Sequence, residues 1–444
     1  MNNTINNRKN KQLNKKNTIN LIEGIFNQLE NTDFLRKYVL KNTAFTRERK
    51  IPIEKMFKLV FAKAFLSLNV FLSLQFKKQE EKVTKQAYSK ARTNIDYNIF
   101  TKLNEDLIEQ IYGNYKLKKF NNYLIFSIDG TTVELPNTKE LKEVFGEATS
   151  QKGAKTVARA SASCIFDSLN NITITSTIER YGYSEREMAI KMLDKVNNIK
   201  ALKDENIINI MDRGYYSTGL LLHFCSNNWK FLFRLSKGHL KKYFKKMQSN
   251  DEIFTIDLEK LSGIVGDEKL KKYAKEQKQV DVRFIKVMLK TGEVEYLITN
   301  VMDIKYDDMQ QLYFLRWRIE ENYKFIKREL ELENFSGKKE ISIKQDFYSS
   351  ILNANINQLI RNCCKTKKTK KHEYQVNMNV LRGLYKQHIA YNIFTKVKYL
   401  LNRIRKIIKE LERCLIIKST DKSCPRNTSQ RVRANRYFTN CRPC

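Results

Sequence analysis

Two aspartates of this 444-residue chain end apolar runs. Asp129 follows LIFSI and precedes Gly130; Asp212 follows INIM and precedes RGYY. Each run reads as a buried strand, the first resuming in alternation after an Asp-Gly turn. Carboxylates at the ends of neighbouring strands converge just outside a sheet. Three of them, drawn from distant parts of a chain, make a hard-oxygen cage suited to Mg²⁺ or Mn²⁺. The competing reading is local, because Asp-Gly forms turns and Asp caps helices.

A third acid lies in the stretch 312–330, LYFLRWRIEENYKFIKREL, which reads as one helix. At about 100° per residue, Tyr313, Arg316, Glu320 and Lys327 share an arc of about 60°. Leu312, Leu315, Ile319 and Ile326 form the neighbouring stripe, the face expected to pack on the sheet. One acid thus sits among phosphate-binding groups, while Glu321 and Glu329 point elsewhere. Arg316 and Glu320 are four residues apart, so an intrahelical salt bridge is the alternative.

These residues need a scaffold, and the pattern around them supplies one. The runs at 122–135 and 158–182 read as three strands. Ser184, three residues before Glu187, opens a helix with a capping box; 206–212 is a strand, STGLLLHFCSN a capped helix and WKFLFRL a further strand. The order β-β-β-α-β-α-β implies a mixed α/β sheet with an antiparallel start. Residues 237–302 break the alternation and read as a mostly β insertion. The catalytic core is therefore expected at 121–345, between a helical domain at 51–120 and a helical region with a basic tail at 346–444. Residues 1–50, Asn- and Lys-rich, are expected to form a disordered basic arm. The apolar window 56–76 is long enough for a membrane span, but Lys58, Lys63, Asn69 and Gln75 interrupt it, which predicts buried helices instead. The polar N-terminus predicts no secretion signal.

Lys and Arg number 83 against 48 Asp and Glu, a formal net charge of +35. That balance points to an acidic partner, foremost nucleic acid. A polar turn followed by VTKQAYSKARTNID suits a helix-turn-helix recognition helix, with Lys85, Gln86 and Arg92 reaching base edges and phosphates; a surface helix is the alternative. Of the eight cysteines, the C-terminal CRPC has metal-ligand spacing, but free thiols are the default in such a chain.

Tyr313-x2-Arg316-x3-Glu320-x6-Lys327 resembles, spacing for spacing, the Tyr-Arg-Glu-Lys signature of DDE transposases of the insertion-sequence-four type. SIDGTTVELP resembles that family's first-aspartate segment, MDRGYYS its second, and VTKQAYSKAR its N-terminal region. The resemblance implies a ribonuclease H-like core in which Asp129, Asp212 and Glu320 hold two Mg²⁺ or Mn²⁺ ions. It implies cleavage of double-stranded DNA at the element's terminal inverted repeats and strand transfer into target DNA. Arg316 and Lys327 would clamp phosphates near the scissile bond, Tyr313 would hydrogen-bond or stack there, and Arg213 would be a further phosphate contact. A bacterial cytoplasmic, nucleoid-associated homodimer without membrane attachment is the implied assembly. The alternatives are a nuclease of the same fold that cuts without joining, and an inactive DNA-binding relative.

Overall fold

The computed structural model describes residues 11–418, except 48, 63–67, 150–155, 237, 263–265 and 290–291. The CRPC motif and the basic C-terminal tail lie outside the described residues. Within them the cysteines at 164, 225, 363, 364 and 414 are free thiols.

One large sheet carries the site. Its strands are β1 (Leu124–Glu134), β2 (Val157–Asp167), β3 (Ile172–Arg180), β4 (Ile207–Met211), β5 (Lys230–Leu235), β6 (Asp251–Asp257), β7 (Gln279–Met288) and β8 (Val294–Thr299). They lie in the order β3-β2-β1-β4-β5-β8-β7-β6, with a two-residue strand, Glu147–Ala148, also on β2. β1 pairs with β4, and β4 with β5, in parallel; the remaining neighbours are antiparallel. The mixed sheet expected from the β-β-β-α-β-α-β order is present.

Two local expectations are corrected. No turn forms at Asp129–Gly130: β1 runs on to Glu134 because its outer half stays paired with β2 through residue 159. The 237–302 segment, expected to be a mostly β insertion, carries helices and strands in comparable measure. Its strands β6, β7 and β8 extend the main sheet beyond β5, interleaved with helices of which Glu268–Gln277 is the longest.

Helices close both faces. N-terminal to the sheet are α1 (Lys15–Gln28), α2 (Ile53–Ala62), α3 (Leu68–Gln75), α4 (Lys85–Arg92) and α5 (Asn98–Asn114). The expected disordered arm is therefore helical over α1. Asn14 caps it through the Asn17 amide, and Ile19, Leu21, Ile22, Ile25 and Phe26 bury one face. The 56–76 window yields α2 and α3, and among the described residues no helix is long and apolar enough to cross a membrane.

Between the strands of the sheet come α6 (Glu185–Asn197), joining β3 and β4, and α7 (Thr218–Ser226), joining β4 and β5. Ser184 caps α6 by accepting from the Glu187 amide. Beyond β8 follow α8 (Tyr306–Phe314), α9 (Trp317–Lys324), α10 (Glu340–Cys363), α11 (Met378–His388) and α12 (Val397–Leu411). α10 packs on α1, α2, α5, α11, α12 and β3, so its polar residues are enclosed and must be satisfied internally. Asn355 does this by donating to Asn104 Oδ1 (2.6 Å) and the Thr173 carbonyl (2.8 Å), which ties α10 to α5 and β3.

The stretch 312–330 is not one helix. α8 ends at Phe314, α9 begins at Trp317, and Phe325–Glu329 widens into a π-helical turn. Leu312 and Ile319 are fully buried nonetheless, so the apolar stripe packs as expected across the break.

Candidate active site

Alternation along β1 sends Leu124, Phe126 and Ile128 into the core on one face, and Ile125 into the cluster on the other. The second cluster also holds Ile208 and Ile210 of β4, with Met309, Leu312 and Tyr313 of α8. Asp129 is next in the Ile125 series and so faces the side on which α8 and α9 lie. β4 stops at Met211, paired with Ile128. Asp129 and Asp212 are the next residues of each strand in that register. Asp212 turns out of the strand, its Oδ1 accepting from the Gly214 amide at 2.7 Å.

Glu320 reaches the aspartates through an arginine. Arg316, in the break between α8 and α9, donates to Glu320 at 2.8 Å and stands 3.6 Å from Asp129. The Arg316–Glu320 salt bridge offered as the alternative is present, and the same guanidinium also faces Asp129. The guanidinium is itself buried. Burial pushes the Asp129 carboxyl up to about 7; Arg316 and the Gly130 amide oppose this, while the charges of Asp212 and Glu185 add to it.

The other signature residues are placed as follows. Tyr313 is buried between sheet and helix, and among the described residues its hydroxyl has no hydrogen-bond partner. Burial raises that phenol to about 12. Lys327 donates to the Thr132 carbonyl of β1 and lies 3.6 Å from Glu333, with its ammonium pKa lowered by burial. Arg213 is exposed beside Asp212, and Lys85 and Gln86 are exposed on α4.

Arg92 departs from its expected place. It is 1% exposed and forms an ion pair with Asp346 at 3.0 Å, with further bonds to Gln345, Ser336 and the Ser342 carbonyl. Its guanidinium joins α4 to α10 and is not presented to DNA; at the last turn of α4 it points along the buried face that also carries Tyr88.

Three further groups stand at this centre without a clear signal in the sequence. Tyr323, one turn after Glu320, donates to the Asp129 carbonyl at 2.7 Å, and Ser163 of β2 donates to the same carbonyl at 2.8 Å. These two bonds fix α9 and β2 to the strand at Asp129; the spacing of Tyr323 from Glu320 was the available signal. Glu185, the first residue of α6, lies against Gly130. It was legible only as the acid of a capped helix start.

The donor set is all oxygen and partly buried, which suits a hard divalent cation. As the side chains stand, no three Asp, Glu, His or Cys among the described residues are grouped closely enough to grip one ion. Arg316 supplies the positive charge between Asp129 and Glu320 in this arrangement. Cation binding therefore calls for local side-chain rotation around it.

Residues 121–356, just over half of the chain, match the protein family described as Transposase DDE domain. The chain belongs to the DDE transposase family. The matched span of the DDE domain includes Asp129, Asp212, Arg316, Glu320 and Lys327. The chain is also 23% identical over 244 residues to Transposase InsG for insertion sequence element IS4 of Escherichia coli (strain K12), covering 52% of this chain and 51% of that protein. It thus spans about half the length of the curated relative it matches. Among solved structures it is similar to a piggyBac transposase synaptic complex with hairpin DNA, with TM-score 0.43 and 10% identity over 88% of this chain and 80% of that one.

Proposed function

We propose that this DDE transposase chain cuts double-stranded DNA at the ends of an insertion element and joins the freed ends to target DNA. The observation that carries the reading is that Asp129 and Asp212 each follow the last residue of the parallel β1–β4 pairing, with Glu320 tied to Asp129 through Arg316. Family membership supports it, as does the formal charge of +35, which favours a polyanionic partner.

In this reading the sheet centred on β1 and β4 is a ribonuclease H-like core. Asp129, Asp212 and Glu320 would hold Mg²⁺ or Mn²⁺, two ions in the fullest form. Bound there, such ions activate the attacking oxygen and stabilise the leaving one in an in-line displacement. The remaining work belongs to the chain. Arg316 releases its carboxylates and turns its planar fork to a phosphate near the scissile bond. Lys327 and Tyr313 flank the same stretch, and Arg213 adds an exposed cation beside Asp212. Lys85 and Gln86 are the α4 side chains available to element ends. The protein would act on the DNA of a bacterial cytoplasm as a homodimer that pairs two terminal inverted repeats.

The test supplies the full chain with pre-cut element ends, a supercoiled plasmid and Mg²⁺. Joined product supports the reading. Cleavage of intact ends with no joining under any divalent metal assigns the fold to a nuclease, and absence of both reactions sinks the proposal.

A further inference from the structure

We propose that the outer face of α12 is a separate DNA surface, one that holds duplex DNA by its phosphates and without regard to sequence. It goes beyond the functional reading above. α12 packs chiefly on α1, α10 and α11, and carries none of the three acids, the signature residues or the α4 side chains.

At about 100° per residue, α12 divides into two faces. Its apolar residues, from Val397 to Leu411, fill an arc of about 120° and are buried. Lys398, Arg403, Arg405, Lys406 and Lys409 share the opposite arc with a single acid, Glu410, which pairs with Arg413 at 3.5 Å. None of these five cations forms a salt bridge among the described residues. Helices elsewhere carry their own counter-ions, as Lys102 has Asp106 on α5 and Lys344 has Glu340 on α10. Arg403 and Lys406, Lys406 and Lys409, and Arg405 and Lys409 stand three or four residues apart, where like charges repel. A plain solvated face interleaves its signs. This one is relieved by an anion extended along it.

The face is also shaped to receive a phosphate. Thr395, Tyr399, Asn402, Arg403 and Lys406 line an open recess, so two cations and three uncharged donors converge with no acid among them. Arg403 is held there by an N–H that donates to the His388 carbonyl at 3.2 Å, and the rest of its fork is left for an oxyanion. His388 senses the same field: burial lowers its imidazole pKa, Arg403 and Lys406 lower it further, and no acid opposes them. On the other flank Lys15, Lys16, Arg405 and Lys409 line a second recess with Glu412. That carboxylate is already taken up by Lys15 and by the Lys365 amide, each at 2.7 Å. From Lys398 to Lys409 the ridge runs roughly 16 Å. A DNA strand presents a phosphate about every 3.4 Å of its axis, so several are met at once. Phosphate contacts carry no sequence information, and long cations on a convex face make no other kind. The apolar stripe of α12 is buried in the protein's own core, which leaves a lipid bilayer nothing to take up. A further copy of the chain would bring the same positive charge.

A fluorescent duplex of random sequence, titrated with the full chain in EDTA at several KCl concentrations, tests this surface apart from cleavage, joining and the cation site. The triple variant Arg403→Gln, Lys406→Gln, Lys409→Gln is expected to bind about tenfold or more weakly at about 50 mM KCl. It should also reduce the slope of log affinity against log salt by about three, near one for each lost phosphate contact. Lys102→Gln, which removes a paired cation on α5, should leave that slope unchanged. A wild-type slope in the triple variant overturns the proposal. Should that variant not fold, Lys406→Glu alone decides, a wild-type slope again counting against the surface. Loss of binding to phosphatidylglycerol vesicles with the DNA slope kept would assign the face to a membrane and overturn it too. Failure here leaves the catalytic reading standing, because that reading is judged by the joining of pre-cut ends and not by this slope.

Discussion

Asp129 and Asp212 stand one residue beyond Ile128 and Met211, the last paired residues of two adjacent parallel strands, in the same register. The backbone alone therefore places two acids in matching positions just past the end of that pairing, 83 residues apart in sequence. Asp129 lacks the surroundings of a turn acid, since β1 does not turn there, whereas Asp212 also closes a turn by accepting from the Gly214 amide. Asp129→Asn and Asp212→Asn are each expected to lower DNA cleavage by at least about 100-fold, the loss expected when several kcal/mol of metal-borne charge stabilisation is removed. Binding to element-end DNA should stay within a few-fold of wild type in a gel-shift titration. Loss of binding in parallel with cleavage would instead mark these residues as structural.

The Asp129 carboxyl is pushed up to about 7 from an ordinary 3.8, chiefly by burial. In the cation-free protein the folded state then binds more protons than the unfolded chain between those values. Stability contributed by the neutral form is complete below about 4 and declines as pH rises toward 7. The thermal transition measured in EDTA should fall between pH 5 and pH 8, and Asp129→Asn should flatten that fall. The variant should also melt above wild type at pH 8, while being the less active protein. A wild-type transition that rises with pH over this window contradicts the assignment.

How much of this was legible in the sequence follows from range. Apolar runs and their order fixed strands, the α6 cap and the sheet type, because those depend on local pattern and on the face each residue must bury. Asp129 and Asp212 were legible because each follows the point where an apolar run stops, and Glu320 because it shares a helical arc with Arg316 and Lys327. The break at Leu315–Arg316 was not, since the composition of 312–330 is helical throughout and only packing against the sheet divides it. Arg92 was misplaced for a related reason. Its partner Asp346 is 254 residues away, and nothing local says that α10 will cover that face of α4. Glu185 was hidden because the helix dipole explains an acid in the first turn without any site.

Arg316 occupies the place of positive charge between Asp129 and Glu320. Truncating it leaves two half-buried carboxylates uncompensated, which costs stability, while freeing them for a cation. Arg316→Ala is expected to melt below wild type in EDTA and to gain more from saturating Mn²⁺ than wild type gains. Strand transfer should fall even with Mn²⁺ present, because the phosphate fork is gone. Equal Mn²⁺ stabilisation of the two proteins would show that Arg316 and the cation do not compete.

Arg92 and its exposed neighbours on α4 separate stability from recognition. Arg92 and Asp346 are a fully buried pair, so Arg92→Ala leaves an unpaired interior carboxylate and should cost about 3–5 kcal/mol. Arg92→Lys should recover little, because one ammonium cannot reproduce bonds to Gln345, Ser336, the Ser342 carbonyl and Asp346 together. Lys85→Ala and Gln86→Ala lie on the exposed side and should leave the denaturant midpoint within about 0.5 kcal/mol of wild type. If α4 reads element ends, Lys85→Ala weakens binding on all DNA and reduces the salt slope by about one. Gln86→Ala should act only on the cognate end. A Lys85 and Gln86 double variant that binds element ends as wild type does would remove α4 from recognition, and with it the helix-turn-helix reading of this segment.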